Sequence, residues 1–269
     1  MNLYLFPPGE DPGPSFAELL RRVQLAPVAT TVPAAPPATV RHATTIAALR
    51  YADGVVMAGD RRATEGISIA HRSIEKVFPA DRYSAVGIAG AAGPAIEMVR
   101  LFQTQLEHYE KVEGAVLSLE GKANQLSQMV RAHLPLAMQG LAVVPLFAGW
   151  DARRSLGRIF TYDVTGGRYE ETDFHATGSG GRDAKTTIKL GYREGMIRDD
   201  AVELVVEALY QAADEDAATG GPDPLRGIYP IVATVDASGF TRLGEDEVAS
   251  RFASVLERRP AAGNGGERR

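Results

Sequence analysis

The chain contains no cysteine among its 269 residues. This absence excludes disulfide bonds, thiolate nucleophiles and cysteine-ligated metal sites, and it agrees with the reducing conditions of a cytoplasm. Basic residues are also scarce for a nucleic-acid or anionic-membrane surface, because 29 Lys and Arg stand against 34 Asp and Glu and the net charge is −5. We therefore expect a cytoplasmic protein.

Long hydrophobic runs are missing as well. A membrane helix needs about 18 apolar residues or more, whereas the best run, residues 141–150, is interrupted by Pro145. The N-terminus has neither a basic start nor a continuous apolar stretch, so we do not expect it to be a secretory signal. The composition, 45% hydrophobic and 23% charged, is that of an ordinary globular protein with one large domain or two small ones.

The prolines divide the chain at residue 44. Eight of the 16 prolines precede this position, and residues 26–39 are rich in Pro, Ala and Thr without a helical or strand period. Such a composition cannot bury enough apolar surface to offset the entropy lost on ordering. Residues 1–43 are therefore interpreted either as a disordered tail or as a propeptide removed on maturation. Residues 44–258 form the expected domain, and the glycine-rich residues 259–269 a disordered tail.

From residue 44 onward the pattern predicts strands separated by pairs of helices. Asp53-Gly54 between two β-rich runs is typical of a tight hairpin turn. Further strands are expected at 76–78, 83–90, 141–148, 158–163, 168–172, 174–177, 229–236 and 239–243. Helices are expected at 96–109, 119–138, 183–192 and 199–216. This order favours an α+β fold, a four-layer αββα sandwich of two antiparallel sheets flanked by helix pairs.

Few residues stand in motifs typical of catalysis, metal binding or nucleotide binding. None of the five histidines (His42, His71, His108, His133 and His175) stands in a Gly-x-Ser-x-Gly setting, and no His-x-x-x-His or His-Glu pair offers metal ligands. Residues 87–93 read Gly-Ile-Ala-Gly-Ala-Ala-Gly, which is not the spacing of a dinucleotide-binding loop. We expect neither a metal nor a cofactor.

Thr44 is the remaining candidate nucleophile. If residues 1–43 were removed, Thr44 would carry a hydroxyl and a free α-amine whose pKa, about 7.7–8, suits a general base at neutral pH. Asp60 and Lys76 lie at predicted strand ends, where they could form an ion pair beside Thr44. A nearby ammonium would favour a more acidic hydroxyl. The alternative is that Thr44 and Thr45 are simply β-formers that open a strand.

Several segments in order carry a family resemblance. They are Thr44-Thr-Ile, Gly54-Val-Val-Met-Ala-Gly-Asp-Arg-Arg-Ala-Thr, Lys76-Val-Phe, Gly87-Ile-Ala-Gly, Thr177-Gly-Ser-Gly and Asp216-Ala-Ala-Thr-Gly-Gly. Together they resemble a 20S proteasome β subunit of the actinobacterial type over about residues 44–258. The resemblance implies the N-terminal nucleophile hydrolase fold and threonine endopeptidase activity on proteins inside a barrel.

The resemblance also implies residue roles. Thr44 would be the nucleophile and its freed amine the base, Asp60 and Lys76 the orienting pair, and the Gly90 N–H the oxyanion donor. Ser179, Asp216 and Thr219 would surround the amine, while Thr64 and Gly90 would bind the substrate backbone. The pocket for the residue before the cut would be lined by Ala63, Ile74, Lys76, Ile88 and Ala92, which implies a chymotrypsin-like preference.

Two positions depart from the family pattern. The maturation cut would fall between Ala43 and Thr44, where the family usually has Gly before the scissile bond, so processing could be slowed. Thr219 stands where many relatives have Ser, and it keeps the hydroxyl.

The resemblance implies partners too: proteasome α subunits, seven-membered β rings in a 28-subunit core particle, a ring-shaped ATPase on the α ring, and protein substrates. Three alternatives stay open. An ATP-dependent heat-shock-type threonine peptidase is shorter and usually has Gly-Gln at Arg61-Arg62. A non-catalytic ring subunit would have no need for Thr44, Asp60 and Lys76 together. A small-molecule amidase of the same nucleophile class would normally present Ser or Cys.

Overall fold

The computed structural model describes residues 44–65 and 68–258. The predictions for residues 1–43, which include the cleavage-site residue Ala43, and for residues 259–269 lie outside these ranges. In the described part the strands are β1 (Thr45–Tyr51), β2 (Gly54–Gly59), β3 (Ala63–Glu65), β4 (Ser68–His71), β5 (Val77–Asp81), β6 (Ser84–Gly90), β7 (Val143–Asp151), β8 (Leu156–Tyr162), β9 (Arg168–Glu171), β10 (Phe174–Gly178), β11 (Ile231–Asp236) and β12 (Gly239–Arg242). The helices are α1 (Ala92–Glu113), α2 (Leu119–Ala132), α3 (Leu134–Ala137), α4 (Gly181–Gly191), α5 (Arg198–Glu215) and α6 (Glu245–Arg258).

Two five-stranded antiparallel sheets form the centre of the fold. The first has the strand order β10-β1-β2-β11-β12 and the second β5-β6-β7-β8-β9, while β3 and β4 form a separate two-stranded ribbon. The predicted Asp53-Gly54 turn joins β1 to β2, with Tyr51 paired to Gly54. The prediction of two antiparallel sheets is confirmed.

Side chains of β1 alternate between two apolar cores because successive residues of a strand face opposite sides of the sheet. Ala47 and Leu49 pack in the core that the first sheet shares with α4, α5 and α6. Ile46 and Ala48 pack in the core between the two sheets. A third core lies between the second sheet and helices α1 and α2. These three cores define the four predicted layers.

Three features differ from the sequence-based expectation. Helix α6 was not predicted, so three helices rather than a pair cover the first sheet. The β3–β4 ribbon was not predicted either. The helix expected over residues 119–138 ends at Ala132, and the short α3 follows. Pro135 explains this break, because proline has no N–H to donate to the carbonyl oxygen four residues earlier and is tolerated only in the first turn of a helix, where α3 places it.

The strand ends bring the candidate residues together. Thr45 pairs with Gly178 of β10, and the Asp60 N–H donates to the Thr45 carbonyl oxygen at 3.1 Å. In the second sheet the Ile88 N–H donates to the carbonyl oxygen of Lys76 at 2.9 Å. The start of β1, the ends of β2 and β10, and the start of β5 therefore frame one region of the sandwich.

Candidate active site

The Asp60 carboxylate is fully buried directly after β2. Its Oδ1 atom accepts hydrogen bonds from the Thr45 N–H at 2.8 Å and from Lys76 Nζ at 2.6 Å. Its Oδ2 atom accepts from the N–H groups of Arg62 at 2.9 Å and Gly220 at 2.8 Å. A buried charge is tolerated when it is paired and hydrogen-bonded in this way, so both oxygens of Asp60 are fixed in position.

The Lys76 ammonium is buried against Asp60. Its Nζ also donates to the Arg62 carbonyl oxygen at 2.5 Å. Burial lowers the pKa of Lys76 because it penalises the charged form, and the Asp60 carboxylate opposes that shift. The predicted ion pair between these two residues is thus present at the predicted strand ends.

Thr44 is buried beside this pair, with 6% of its surface exposed. Its carbonyl oxygen accepts the N–H of Ser179 at 3.0 Å. Gly178 makes this close approach possible, since it has a φ of 98° and a Cβ built there would lie 1.6 Å from the Thr44 oxygen. The β1–β10 contact therefore depends on a glycine at 178.

Ser179, Asp216 and Thr219 form a second cluster next to Thr44. The Oδ2 atom of Asp216 accepts hydrogen bonds from the Ser179 hydroxyl and, at 2.6 Å, from the Thr219 hydroxyl. Burial alone would raise the pKa of Asp216, but these hydroxyls and the backbone N–H groups of Ala218 and Thr219 outweigh it and hold the pKa below its ordinary value. Asp216 is therefore a stable anion near neutral pH.

Thr45 joins the two clusters, and sequence reasoning missed this role. Its Oγ1 atom accepts the Gly180 N–H at 2.9 Å and lies 2.6 Å from Oγ1 of Thr219. Because the Thr219 hydroxyl donates to Asp216, the Thr45 hydroxyl donates to Thr219. The hydrogen bonds run in one direction from Gly180 to Asp216. The sequence signal was only a second threonine at the start of a strand.

Gly90 ends β6 in a conformation that a side chain would not allow. Its φ is 107°, and a Cβ there would lie 2.1 Å from the Ala142 carbonyl oxygen. Thr64 is buried on β3. Gly90 lines the same cleft as Thr44 and Lys76.

This cleft contains the whole predicted pocket. It holds about 340 Å³ of space that opens to solvent. Its walls include all five predicted residues: Ala63, Ile74, Lys76, Ile88 and Ala92. Sequence reasoning missed Glu75, Ala95 and Ile96, which also line it. The last two come from the first turns of α1, whose start was predicted only approximately.

Two further properties concern the described residues alone. No group of three or more His, Asp or Glu side chains within residues 44–65 and 68–258 could hold a metal ion. None of the helices in these ranges is both long and apolar enough to cross a membrane.

Comparison with known proteins gives a consistent result. The sequence pattern of one family, described as proteasome subunit, matches residues 40–223. A proteasome subunit beta of Acidimicrobium ferrooxidans is 64% identical over 264 residues, which cover 97% of each chain. The proteasome subunit beta of Streptomyces griseus is 61% identical over 81% of this chain and 78% of its own. That of Acidothermus cellulolyticus is 55% identical over 94% of this chain and 90% of its own.

The matched region includes Thr44, the Asp60–Lys76 pair and the Asp216 cluster. The chain therefore belongs to the proteasome subunit family, as a β subunit of the actinobacterial type.

Proposed function

We propose that the chain is the catalytic β subunit of a bacterial 20S proteasome core particle, a threonine endopeptidase with Thr44 as its nucleophile. The observation that supports this most strongly is the double role of Asp60 Oδ1, which accepts from both Lys76 Nζ and the Thr45 N–H. One carboxylate oxygen thus fixes a cation and the residue next to Thr44. A purely structural subunit has no need for this combination.

The proposed chain of events begins with maturation. The Thr44 hydroxyl attacks the carbonyl carbon of Ala43, and the Ala43–Thr44 C–N bond breaks as a proton passes to the Thr44 nitrogen, which leaves an ester and a free α-amine. Water then hydrolyses the ester and releases residues 1–43. The released segment acts as the propeptide of a zymogen. Changing Ala43 to Gly should speed this cut if the larger residue is limiting.

In the mature subunit the same hydroxyl attacks a substrate peptide. Its proton passes to the Thr44 amine, whose ordinary pKa of about 7.7–8 leaves it partly neutral near pH 7. The N–H of Gly90 stabilises the oxyanion that develops on the carbonyl oxygen. The leaving amine takes a proton, and water then hydrolyses the ester to restore Thr44.

Five further residues support these steps: Asp60, Lys76, Ser179, Asp216 and Thr219. The buried ammonium of Lys76 lines the cleft with Thr44 and favours the deprotonated hydroxyl. The Asp216 cluster holds the segment that donates to the Thr44 carbonyl oxygen, because Ser179 belongs to both. Preorganised groups of this kind lower the barrier because they need not rearrange during the reaction.

Substrate would bind in extended form along Thr64 and Gly90. Its main chain would form the hydrogen bonds, so this binding would not depend on the substrate sequence. The side chain before the cut would enter the cleft lined by Ala63, Ile74, Lys76, Ile88 and Ala92. Its apolar walls favour a chymotrypsin-like preference for large hydrophobic residues. The degraded proteins would be unfolded or tagged.

Assembly follows from the family. We infer seven β subunits in each inner ring of a 28-subunit particle, α subunits outside, and a ring-shaped ATPase that acts through the α ring in the cytoplasm. Enclosure protects the cell from an open protease site. The identity with proteasome β subunits favours this over a heat-shock-type peptidase, and the Thr44–Asp60–Lys76 set favours it over a non-catalytic ring subunit.

A peptidase assay tests the proposal. The chain is co-expressed with its α partner, and the assembled particle is given short fluorogenic peptides. We expect hydrolysis by the wild-type particle and none by the Thr44→Ala particle at equal assembly. Equal activity of the two particles would contradict the proposal.

A further inference from the structure

A second pocket lies directly behind the Asp60 carboxylate. Arg62 and Gly220, whose N–H groups both bind Asp60 Oδ2, also line this pocket, which has about 340 Å³ of space that is partly open solvent. The other walls come from Arg61, Arg72 and the loop that contains Gly221, Asp223, Ile228, Tyr229 and Pro230. We call this the arginine pocket.

The charges at the arginine pocket do not balance. Arg61 pairs with Glu245 at 3.0 Å, and Asp223 pairs with Arg226 at 2.6 Å. The guanidinium of Arg62 donates to the neutral carbonyl oxygen of Ala217, at 2.8 Å. Among the described residues neither Arg62 nor Arg72 has a carboxylate within ion-pair distance. The pKa of Asp223 is lowered by its hydrogen bond to Arg226 and also by the charge of Arg72, and Asp223 is the one carboxylate among the described residues that line the pocket, beside three guanidinium groups. Positive charge therefore exceeds negative charge on these walls.

Arg61 adds an unfilled donor to the same wall. Its Nε atom is buried and finds no hydrogen-bond acceptor within the part of the chain that the structure describes. A buried donor without a partner costs about 1–3 kcal/mol, and such groups are usually matched by a ligand, ion or water. The unfilled donor therefore belongs to a residue of the pocket wall and is buried within that wall.

We propose that the arginine pocket binds an oxyanion, the carboxylate or phosphate class that guanidinium groups hold through paired hydrogen bonds. Two sources share this chemistry. One is a free anion in solution, such as inorganic phosphate, and the other is an Asp or Glu side chain of an adjoining subunit. The net charge of −5 means that other copies of the chain offer more carboxylates than cations.

The position of the pocket gives the ligand an effect on catalysis, a consequence that rests on the proposed function. An anion that orders Arg62 and Gly220 also fixes the two N–H groups that hold Asp60, and Asp60 in turn holds Lys76. We expect the occupied pocket to raise kcat without changing KM, because the arginine pocket and the cleft share no lining residue.

Calorimetric titration of the full-length chain with sodium phosphate, at constant ionic strength, tests binding without reference to activity. We expect saturable binding at one site per chain, at least tenfold weaker in Arg72→Gln. Arg72 is exposed and makes no ion pair in the described ranges, so its loss should leave the fold intact. The matched control is Arg193→Gln, another exposed arginine, whose nearest carboxylate oxygen is 4.0 Å away on Asp200.

Repeating the titration on the assembled particle separates the two sources. Unchanged phosphate affinity identifies a free anion as the ligand. Loss of phosphate binding on assembly, together with weaker assembly of Arg72→Gln, identifies a carboxylate from an adjoining subunit. Absence of saturable binding to the free chain, or equal affinity in Arg72→Gln and wild type, overturns the proposal. Phosphate binding by a particle without peptidase activity would reject the proposed function and leave the pocket standing.

Discussion

The hydroxyl oxygens of Thr45 and Thr219 lie 2.6 Å apart and are both buried. Through this bond the residue after the candidate nucleophile reaches Asp216, while its own N–H reaches Asp60. The position of Thr44 is thus set from two directions. Neither of these two sets of hydrogen bonds involves the side chain of Thr44.

Replacing Thr45 by Val should lower kcat with little change in KM. Valine keeps the shape and the strand preference of threonine, but it leaves the Gly180 N–H without an acceptor and removes the hydrogen bond that Thr45 donates to Thr219. If the lost hydrogen bonds raise the activation free energy by about 1–3 kcal/mol, kcat falls about 5- to 150-fold. Steady-state kinetics on a fluorogenic peptide measure this effect.

Thr45→Ser and Thr161→Val are the controls. Serine restores the hydroxyl and should recover most of the activity. Thr161 is a buried threonine whose hydroxyl donates to Glu171, away from the site, so Thr161→Val should lower stability and not kcat. Equal kinetic losses in Thr45→Val and Thr45→Ser would show that the hydroxyl bond has no such role.

Gly178→Ala should abolish both maturation and peptide hydrolysis. The added Cβ would lie 1.6 Å from the Thr44 carbonyl oxygen, so β10 and Thr44 must move apart. Gly195→Ala is the matched control, because Gly195 also has a positive φ, 72°, but open space around its Cβ position. Both variants carry the backbone strain of roughly 1–2 kcal/mol, and only the first should lose activity. Chain mass and peptide hydrolysis together decide the comparison.

Lys76→Met should reduce turnover at least about 10²-fold while the particle still assembles, since the electrostatic contribution is about 3–6 kcal/mol. Asp60 keeps three backbone N–H donors in this variant, so the fold should persist. Lys122→Met is the control, because Lys122 is equally buried and pairs with Asp81 at 2.5 Å in another layer. Activity within a few-fold of wild type in Lys76→Met would refute the assignment.

The lowered pKa of Lys76 predicts that peptidase activity is lost at alkaline pH. Burial lowers the pKa of Lys76, so its charge is lost at a lower pH than the value of about 10.4 for an exposed lysine. If the charged form is required, kcat should fall as the pH rises through the pKa of folded Lys76. A kcat that stays constant up to pH 10.4, in a particle that is still assembled, would contradict this requirement.

Peptides that differ only in the residue before the cut should show preference for Leu, Tyr or Phe over Arg. Burying a large apolar side chain against Ile74 and Ile88 is worth about 1.5–3 kcal/mol, or about 10- to 100-fold in rate. Glu75 also lines the cleft, but its carboxylate pairs with Arg242 at 2.6 Å and is not free to attract a basic residue. Glu75→Gln should therefore leave the preference unchanged. Equal or faster cleavage after Arg would show that the pocket is wrongly assigned.

The sequence predicted the layers and the strand ends around the candidate site because both depend on local patterns. Thr44, Asp60 and Lys76 lie at the ends of strands that alternation and a hairpin turn identify, and the structure brings all three together. Thr45 was missed because its partners, Gly180 and Thr219, are 135 and 174 residues away. The arginine pocket was missed for the same reason, since Gly220 lies 160 residues beyond Asp60.

Helix α6 was missed for a different reason. Its buried residues, Val248, Phe252 and Val255, have helical spacing, but they are few among charged residues, and only the packing of Phe252 against Tyr210 and Tyr229 shows which face is inward. Spacing alone did not distinguish this segment from the polar tail that follows it.

The most direct test of the account is the N-terminus of the chain in an active particle. Co-expression with the α subunit, followed by intact mass measurement and N-terminal sequencing, identifies the first residue. The account predicts that the wild-type chain begins at Thr44 and that the Thr44→Ala chain, in pure particles free of other proteases, keeps residues 1–43 and has no activity. A fully active particle whose chain begins before Thr44 would contradict it.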